Sequence, residues 1–270
     1  MSAGAGLLLA DKPPGISSHD VVARARHALA ERRVGHAGTL DPFASGLLIL
    51  LVGRATRLQH LFMALPKTYE VVAQLGARSS TGDVEGEIVE TGVLPPEPLA
   101  LPRGLIRQRP PAYSAVKIDG ERAYARARRG ESFELPEREV EIYAAEELWR
   151  DGTRVALRIS CSSGTYIRSL VADLGDAYCV ALRRTRIGPF DAAGAWSTEG
   201  PAELVDIRTA CEPFLPVIEL DSAAAAAVAH GKIMPSLTND PVFLLAGPDG
   251  SLLALGQRSA GEERAKLRLL

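Results

Sequence analysis

Between Val34 and Gly53 the chain places two glycines, Gly35 and Gly38, and one histidine, His36, ahead of a single carboxylate, Asp41. Pro42 follows the acid, and after Gly46 come six consecutive apolar residues, Leu47 to Val52. The glycines allow a tight turn or a close approach of backbone to a ligand. Pro42 biases Asp41 away from the helical region. The acid is thus held at the lip of an element, beside a wall of Leu, Ile and Val. Two readings fit: Asp41 is the N-cap of a short helix with Pro42 in its first position, or it is a catalytic carboxylate in a mostly apolar pocket. The two are compatible.

The remaining chain provides a sheet-and-helix frame for this stretch. Its 270 residues suffice for one large domain or two ordinary ones. Leu7 to Ala10 reads as a short strand, and Ser17 with Asp20 has the spacing of a capping box that opens a helix. Residues 54–65 read as helical. Tyr69, Val71, Ala73 and Leu75 alternate with more polar positions, as in a strand. Residues 76–86 form a loop, 87–91 a returning strand, and the proline-bearing stretch 95–111 a loop. A helix is predicted over 121–129, strands over 140–143 and 155–160, a helix over 166–174 and a strand over 186–190. Residues 212–216, with Pro213 and Pro216, mark the best domain boundary. Beyond them lie a helix over 223–230 closed by Gly231 and a hairpin pairing 242–246 with 251–255. Some sixty residues is marginal for an independent core, so this tail should lean on the first domain. The order of elements lacks a regular βαβ rhythm, which favours an α+β fold with a mixed or antiparallel sheet.

Charge is sorted along the chain although the net formal charge is only −2. From Arg103 to Arg129 there are eight basic and two acidic residues; from Glu131 to Asp151 there are eight acidic and two basic ones. Such sorting can present a basic face on a nearly neutral protein. Cys161, Cys179 and Cys211 make no Cys-x-x-Cys pair, and the five histidines make no zinc-ligand pattern. An odd, sparse set of thiols suits a reducing cytoplasm. No span of membrane length and no signal peptide is read.

The central stretch resembles the active-site motif of TruB-type tRNA pseudouridine synthases, Gly-His-x-Gly-x-Leu-Asp-Pro-x-Ala-x-Gly, matched here from Gly35 to Gly46. Other segments follow in the family's order. Asp11 to Ser18 resembles the first motif, and Lys67-Thr68-Tyr69 with Leu75-Gly76 the tyrosine motif. Gln108 to Lys117 resembles the segment that closes over RNA. Gly164 to Arg168 with Asp173 to Gly175 resembles the arginine motif, and Leu182 to Thr185 with Gly188 the last one. The resemblance covers residues 7–190. There are departures: Ser163 stands where many members carry Lys, the turn at 176–181 is short, and 91–107 lacks a helix found in other members.

The resemblance implies an α+β catalytic domain with a mixed, largely antiparallel sheet at 1–213 and a small PUA-like RNA-binding β domain at 214–270. It implies isomerisation of a uridine in the T-loop of tRNA by base flipping, with no cofactor, no metal, no membrane and no obligate protein partner. By resemblance Asp41 is the catalytic carboxylate, and Arg168 favours its anion through paired hydrogen bonds. Tyr69 stacks on the target base, Leu182 forms an apolar wall, and His36 lies against the loop that the base vacates. The alternatives are a non-catalytic RNA-binding protein, which would tolerate Asn at position 41, and a nucleoside hydrolase. The hydrolase would want a second carboxylate. Asp83 and Glu85, in a turn, read as solvated.

Overall fold

The computed structural model describes residues 5–114, 116–118, 120–230, 240–258 and 266–269. Strand β1 (Gly6–Lys12) leads through the 13–17 turn into α1 (Ser18–Ala28), whose Ser17 and Asp20 form the expected capping box. Then come β2 (Val34–His36), β3 (Ser45–Val52), a 3-10 turn (Gly53–Leu58), α2 (Gln59–Ala64) and β4 (Lys67–Leu75). β5 (Ala77–Ser79) and β6 (Ile88–Glu90) form a small hairpin. β7 (Gly104–Gln108) precedes a second small hairpin, β8 (Lys117–Ile118) and β9 (Glu121–Arg122), and helix α3 (Ala123–Arg128). The long β10 (Arg138–Asp151) and β11 (Arg154–Cys161) lead to α4 (Ile167–Ala172) and β12 (Ala177–Ile187). β13 (Phe190–Asp191), β14 (Val205–Asp206) and α5 (Ile207–Cys211) complete this part. The tail holds β15 (Val217–Glu219), α6 (Ser222–Ala229), β16 (Val242–Ala246), β17 (Leu252–Gln257) and β18 (Lys266–Leu269). Gly231, expected to close the helix before it, lies outside the described residues.

The main sheet runs β14-β1-β3-β12-β4-β11-β10-β7, with β2 paired to β3 and β13 to β12. Every junction is antiparallel except β3 with β12, which is parallel. The unbroken apolar run of β3 is explained by its central place, because both of its faces are covered. Leu47, Ile49 and Leu51 pack with Leu7, Phe62 and two residues of the tail, Leu244 and Leu255. Leu48, Leu50 and Val52 pack on the opposite face with Leu8, Val21, Val22 and Trp196. β4 alternates because only one of its faces is core: Tyr69, Val71, Ala73 and Leu75 are buried against Ile142, Leu157, Ile159 and Leu170.

The outer face of that half carries a row of alternating charge. Arg158 pairs with Glu146 and Glu70 across neighbouring strands, and Arg183 pairs with Asp11. From Arg138 on, the acidic stretch is therefore strand, longer than the 140–143 expected, with Glu146 on a cross-strand partner. Two other expectations change. Residues 104–108 are an edge strand despite the surrounding prolines, paired to 138–142. The short 176–181 segment is not a turn: β12 already runs through it, with a bulge between Cys179 and Ala181.

Candidate active site

Asp41 sits in the connection between β2 and β3, and it does not cap a helix. Residues 42 and 43 form a bend, Ala44 N–H donates to Asp41 O at 3.1 Å, and the chain enters β3 at Ser45. The connection is held from three elements. From β1, the buried Lys12 ammonium donates to Pro13 O at 2.9 Å, Ile16 O at 2.6 Å and Pro42 O at 3.1 Å. Burial pulls this lysine down to about 8, against the field of Asp41. From α1, Ser18 Oγ accepts from Leu40 N–H at 2.9 Å. From β12, the buried Arg184 guanidinium donates to Leu47 O at 2.8 Å, Gly38 O at 3.1 Å and Thr39 O at 3.5 Å. One side chain thus ties both stems of the loop that carries Asp41. Gly46 is required here: its φ is +103°, and a Cβ would lie 2.2 Å from Arg184 O.

Arg168, in the first turn of α4, is 4% exposed and reaches Asp41. Its Nε donates to Asp41 Oδ2 at 2.9 Å, Nη1 to Thr81 O at 2.7 Å and Nη2 to Tyr113 O at 2.8 Å. The expected paired fork on Asp41 is therefore a single bond, because the other donors serve backbone carbonyls. Nη1 also lies 3.4 Å from Asp83 Oδ2. Asp83 is not solvated as expected. Its side chain is 5% exposed, and it accepts from Thr81 Oγ1 at 2.6 Å and Glu85 N–H at 3.0 Å. One guanidinium thus bridges two carboxylates, of which Asp41 is the one open to a ligand, at 31% exposure. Burial raises the Asp41 carboxyl above its ordinary range, while the charge and hydrogen bond of Arg168 act in the opposite direction.

Asp41 and Arg168 line a cavity of about 260 Å³ together with Leu40, Tyr69, Leu182, Arg138 and the turn Gly164 to Ile167. Four of the five residues singled out from the sequence are therefore assembled on one cavity. Tyr69 is buried, and its hydroxyl is pushed up by burial, with Arg184 beside it acting the other way. His36 ends β2, half-buried, with its carbonyl accepting from Gln59 Nε2 at 2.8 Å; it lies off the cavity lining.

The basic segment is stitched to this site at its root. The Gln108 side chain accepts from Tyr166 N–H at 2.8 Å and donates to Tyr166 O at 2.9 Å, and Ser169 Oγ donates to Arg109 O at 3.0 Å. Farther out, Arg126 pairs with Glu131, and Arg129 pairs with both Glu121 and Glu131, so part of the basic excess is internally matched. Sequence reasoning assigned no role to Lys12, Arg184, Asp83 or Arg138. Lys12 and Arg184 lie inside the quoted motifs, which was the available signal. Asp83 between Gly82 and Gly86 carried none.

The chain matches the family described as TruB family pseudouridylate synthase (N terminal domain) over residues 26–167. It is 42% identical to the tRNA pseudouridine synthase B of Thermobifida fusca, covering 96% of each chain. It is 41% identical to the protein of the same name from Mycobacterium tuberculosis, covering 93% of this chain and 91% of the other. Among solved structures it superposes on a chain of a Cbf5-Nop10-Gar1 complex with a TM-score of 0.68 and 26% identity, covering 98% of this chain and 84% of that one. With the buried arginine on the motif aspartate and the cavity beside them, these likenesses agree: the chain belongs to the TruB family of pseudouridylate synthases.

Proposed function

We propose that the protein converts a uridine in the T-loop of tRNA to pseudouridine. The N1–C1′ bond breaks, a C5–C1′ bond forms, C5 loses its proton and N1 is left protonated, so the atoms balance without redox change or a group donor. The observation that carries this reading is the Asp41 carboxylate, held by Arg168 at a cavity bounded by Tyr69 and Leu182. A carboxylate is an established type of nucleophile at glycosidic centres. Arg168 keeps it anionic in a desolvated place. Tyr69 offers a flat face to the base and Leu182 an apolar wall. His36 stands outside the cavity, and by the family resemblance it takes the role of supporting the loop that the base vacates. Residues 1–213 act as the catalytic domain and 214–270 as a small RNA-binding domain. The three cysteines are unpaired and buried, which suits a cytoplasmic enzyme.

The test is incubation of an unmodified tRNA transcript with the protein, followed by a pseudouridine-specific chemical readout, with Asp41→Asn alongside. Wild type is expected to convert one T-loop uridine. The Asn variant is expected to fold and bind tRNA but convert none. Asn-variant turnover within about tenfold of wild type removes Asp41 from its role, since a tenfold change is only about 1.4 kcal/mol of barrier. Absence of pseudouridine with wild type overturns the reading as a whole.

A further inference from the structure

We propose that Arg138 binds the phosphodiester next to the target uridine, as an anion subsite at the rim of the cavity. The proposal rests on the tRNA reading above and adds a site to it. Arg138 is the first residue of β10 and lines the same cavity as Asp41 and Arg168. Its guanidinium stacks over the Tyr166 ring, 4.6 Å from the centroid, and Nη2 donates to Gly164 O. Stacking on an aromatic face fixes the guanidinium plane while leaving its edge available.

Arg138 reaches the cavity without an acid of its own. Among the described residues no carboxylate lies within ion-pair distance of it, whereas Arg126, Arg129, Arg150, Arg158, Arg168 and Arg183 each have one. Its Nε is sealed from solvent and makes no hydrogen bond, while Nη2 is held by Gly164 O. An oriented, half-buried guanidinium with an unused donor is unusual in a finished structure and calls for a missing partner. The surrounding chemistry says which. The base enters towards the Asp41 carboxylate, so a second anion cannot share that spot, and the nucleotide's own phosphate must remain outside at the rim. Arg138 faces that rim from the strand following the basic segment. A planar arginine suits a phosphate through paired donors.

The experiment uses wild type and Arg138→Gln with a T-arm RNA carrying either natural phosphates or a neutral methylphosphonate, placed on the 5′ or the 3′ side of the target uridine. Pseudouridine formation by wild type on natural RNA establishes the underlying reading, separately from this proposal. One methylphosphonate is then expected to lower wild-type affinity or single-turnover rate by about tenfold, as for loss of a hydrogen bond to a charged group. Arg138→Gln should show a similar loss on natural RNA and no further loss on that methylphosphonate RNA. The proposal is overturned if wild type handles both methylphosphonate RNAs like natural RNA, which requires no variant to fold. It is equally overturned if the losses from Arg138→Gln and from each methylphosphonate simply multiply.

Discussion

Arg168 and Tyr113 meet through one hydrogen bond, Nη2 to the Tyr113 carbonyl at 2.8 Å, while Nε of the same guanidinium holds Asp41 at 2.9 Å. The segment that follows β7 is thereby joined to the Asp41 carboxylate through one rigid plane. Movement of residues 108–113 as RNA binds would act on Arg168 directly, and so on the anion it holds.

Arg168→Lys should therefore fail although it keeps the charge. One ammonium cannot serve Asp41, Thr81 O and Tyr113 O from the positions of a planar fork while remaining beside Asp83. Single-turnover conversion at saturating enzyme is expected to fall by about a hundredfold or more. Thermal stability should fall by about 3 kcal/mol, the scale for breaking a buried ion pair. A lysine variant as fast and as stable as wild type would show that charge alone is needed.

The pH dependence has a definite sign. Burial raises the Asp41 carboxyl above 3.8 and Arg168 opposes the shift. Conversion requires the anion, so the single-turnover rate should climb with pH through a midpoint above 3.8. Arg168→Gln removes the opposing influence and should move that midpoint upward. A downward move, or no move, in a pH–rate series with both proteins would contradict the assignment of Arg168 as the group that sustains the anion.

Gly46→Ala tests the fixing of the loop. The new methyl would lie 2.2 Å from Arg184 O, on backbone with φ of +103°. Neither partner is a flexible side-chain tip, so β3 and β12 must separate. A loss of about 3 kcal/mol or more is expected from the combined clash and left-handed backbone. Denaturant midpoints read it directly; an unchanged midpoint would mean that the junction is loose.

The outer arginines make a graded prediction. Replacing Arg122, Arg126, Arg128 and Arg129 with Gln should weaken tRNA binding and flatten log affinity against log salt by about 1 to 2, of about 3 available from four contacts. The shortfall arises because Arg126 and Arg129 already hold Glu121 and Glu131. Those pairs are exposed and weak, so RNA can compete for them. Arg128, stacked on Tyr124 without an acid, should give the largest single effect. A salt titration in which the fourfold variant keeps the wild-type slope would make this a plain solvated face.

The site was legible where chemistry is carried by a string of neighbouring residues. The run around Asp41, the tyrosine opening β4 and the arginine opening α4 are each marked by local glycines and prolines, and the fold brings them to one cavity. Asp83 was not legible because its burial is decided far away: it bridges to Cys179 on β12, and Cys179 N–H donates to Gly82 O at 3.0 Å. The full length of β10 was missed because Glu146 looks solvated until strand pairing places Arg158 opposite it. β7 was missed because prolines flank it, although they lie outside its paired residues.

The position of β12 governs when the site can exist during synthesis. β3 and β4 emerge early, yet neither pairs with the other; β3 with β1 and β4 with β11 are joined into one sheet by β12, which emerges only with residues 177–187. The Asp41 loop waits for the same strand, since Arg184 ties both its stems. Such long-range closure is slow compared with local pairing. A nascent chain therefore carries Asp41 for well over a hundred residues before the strand that fixes its loop exists, and the site is assembled in one late step.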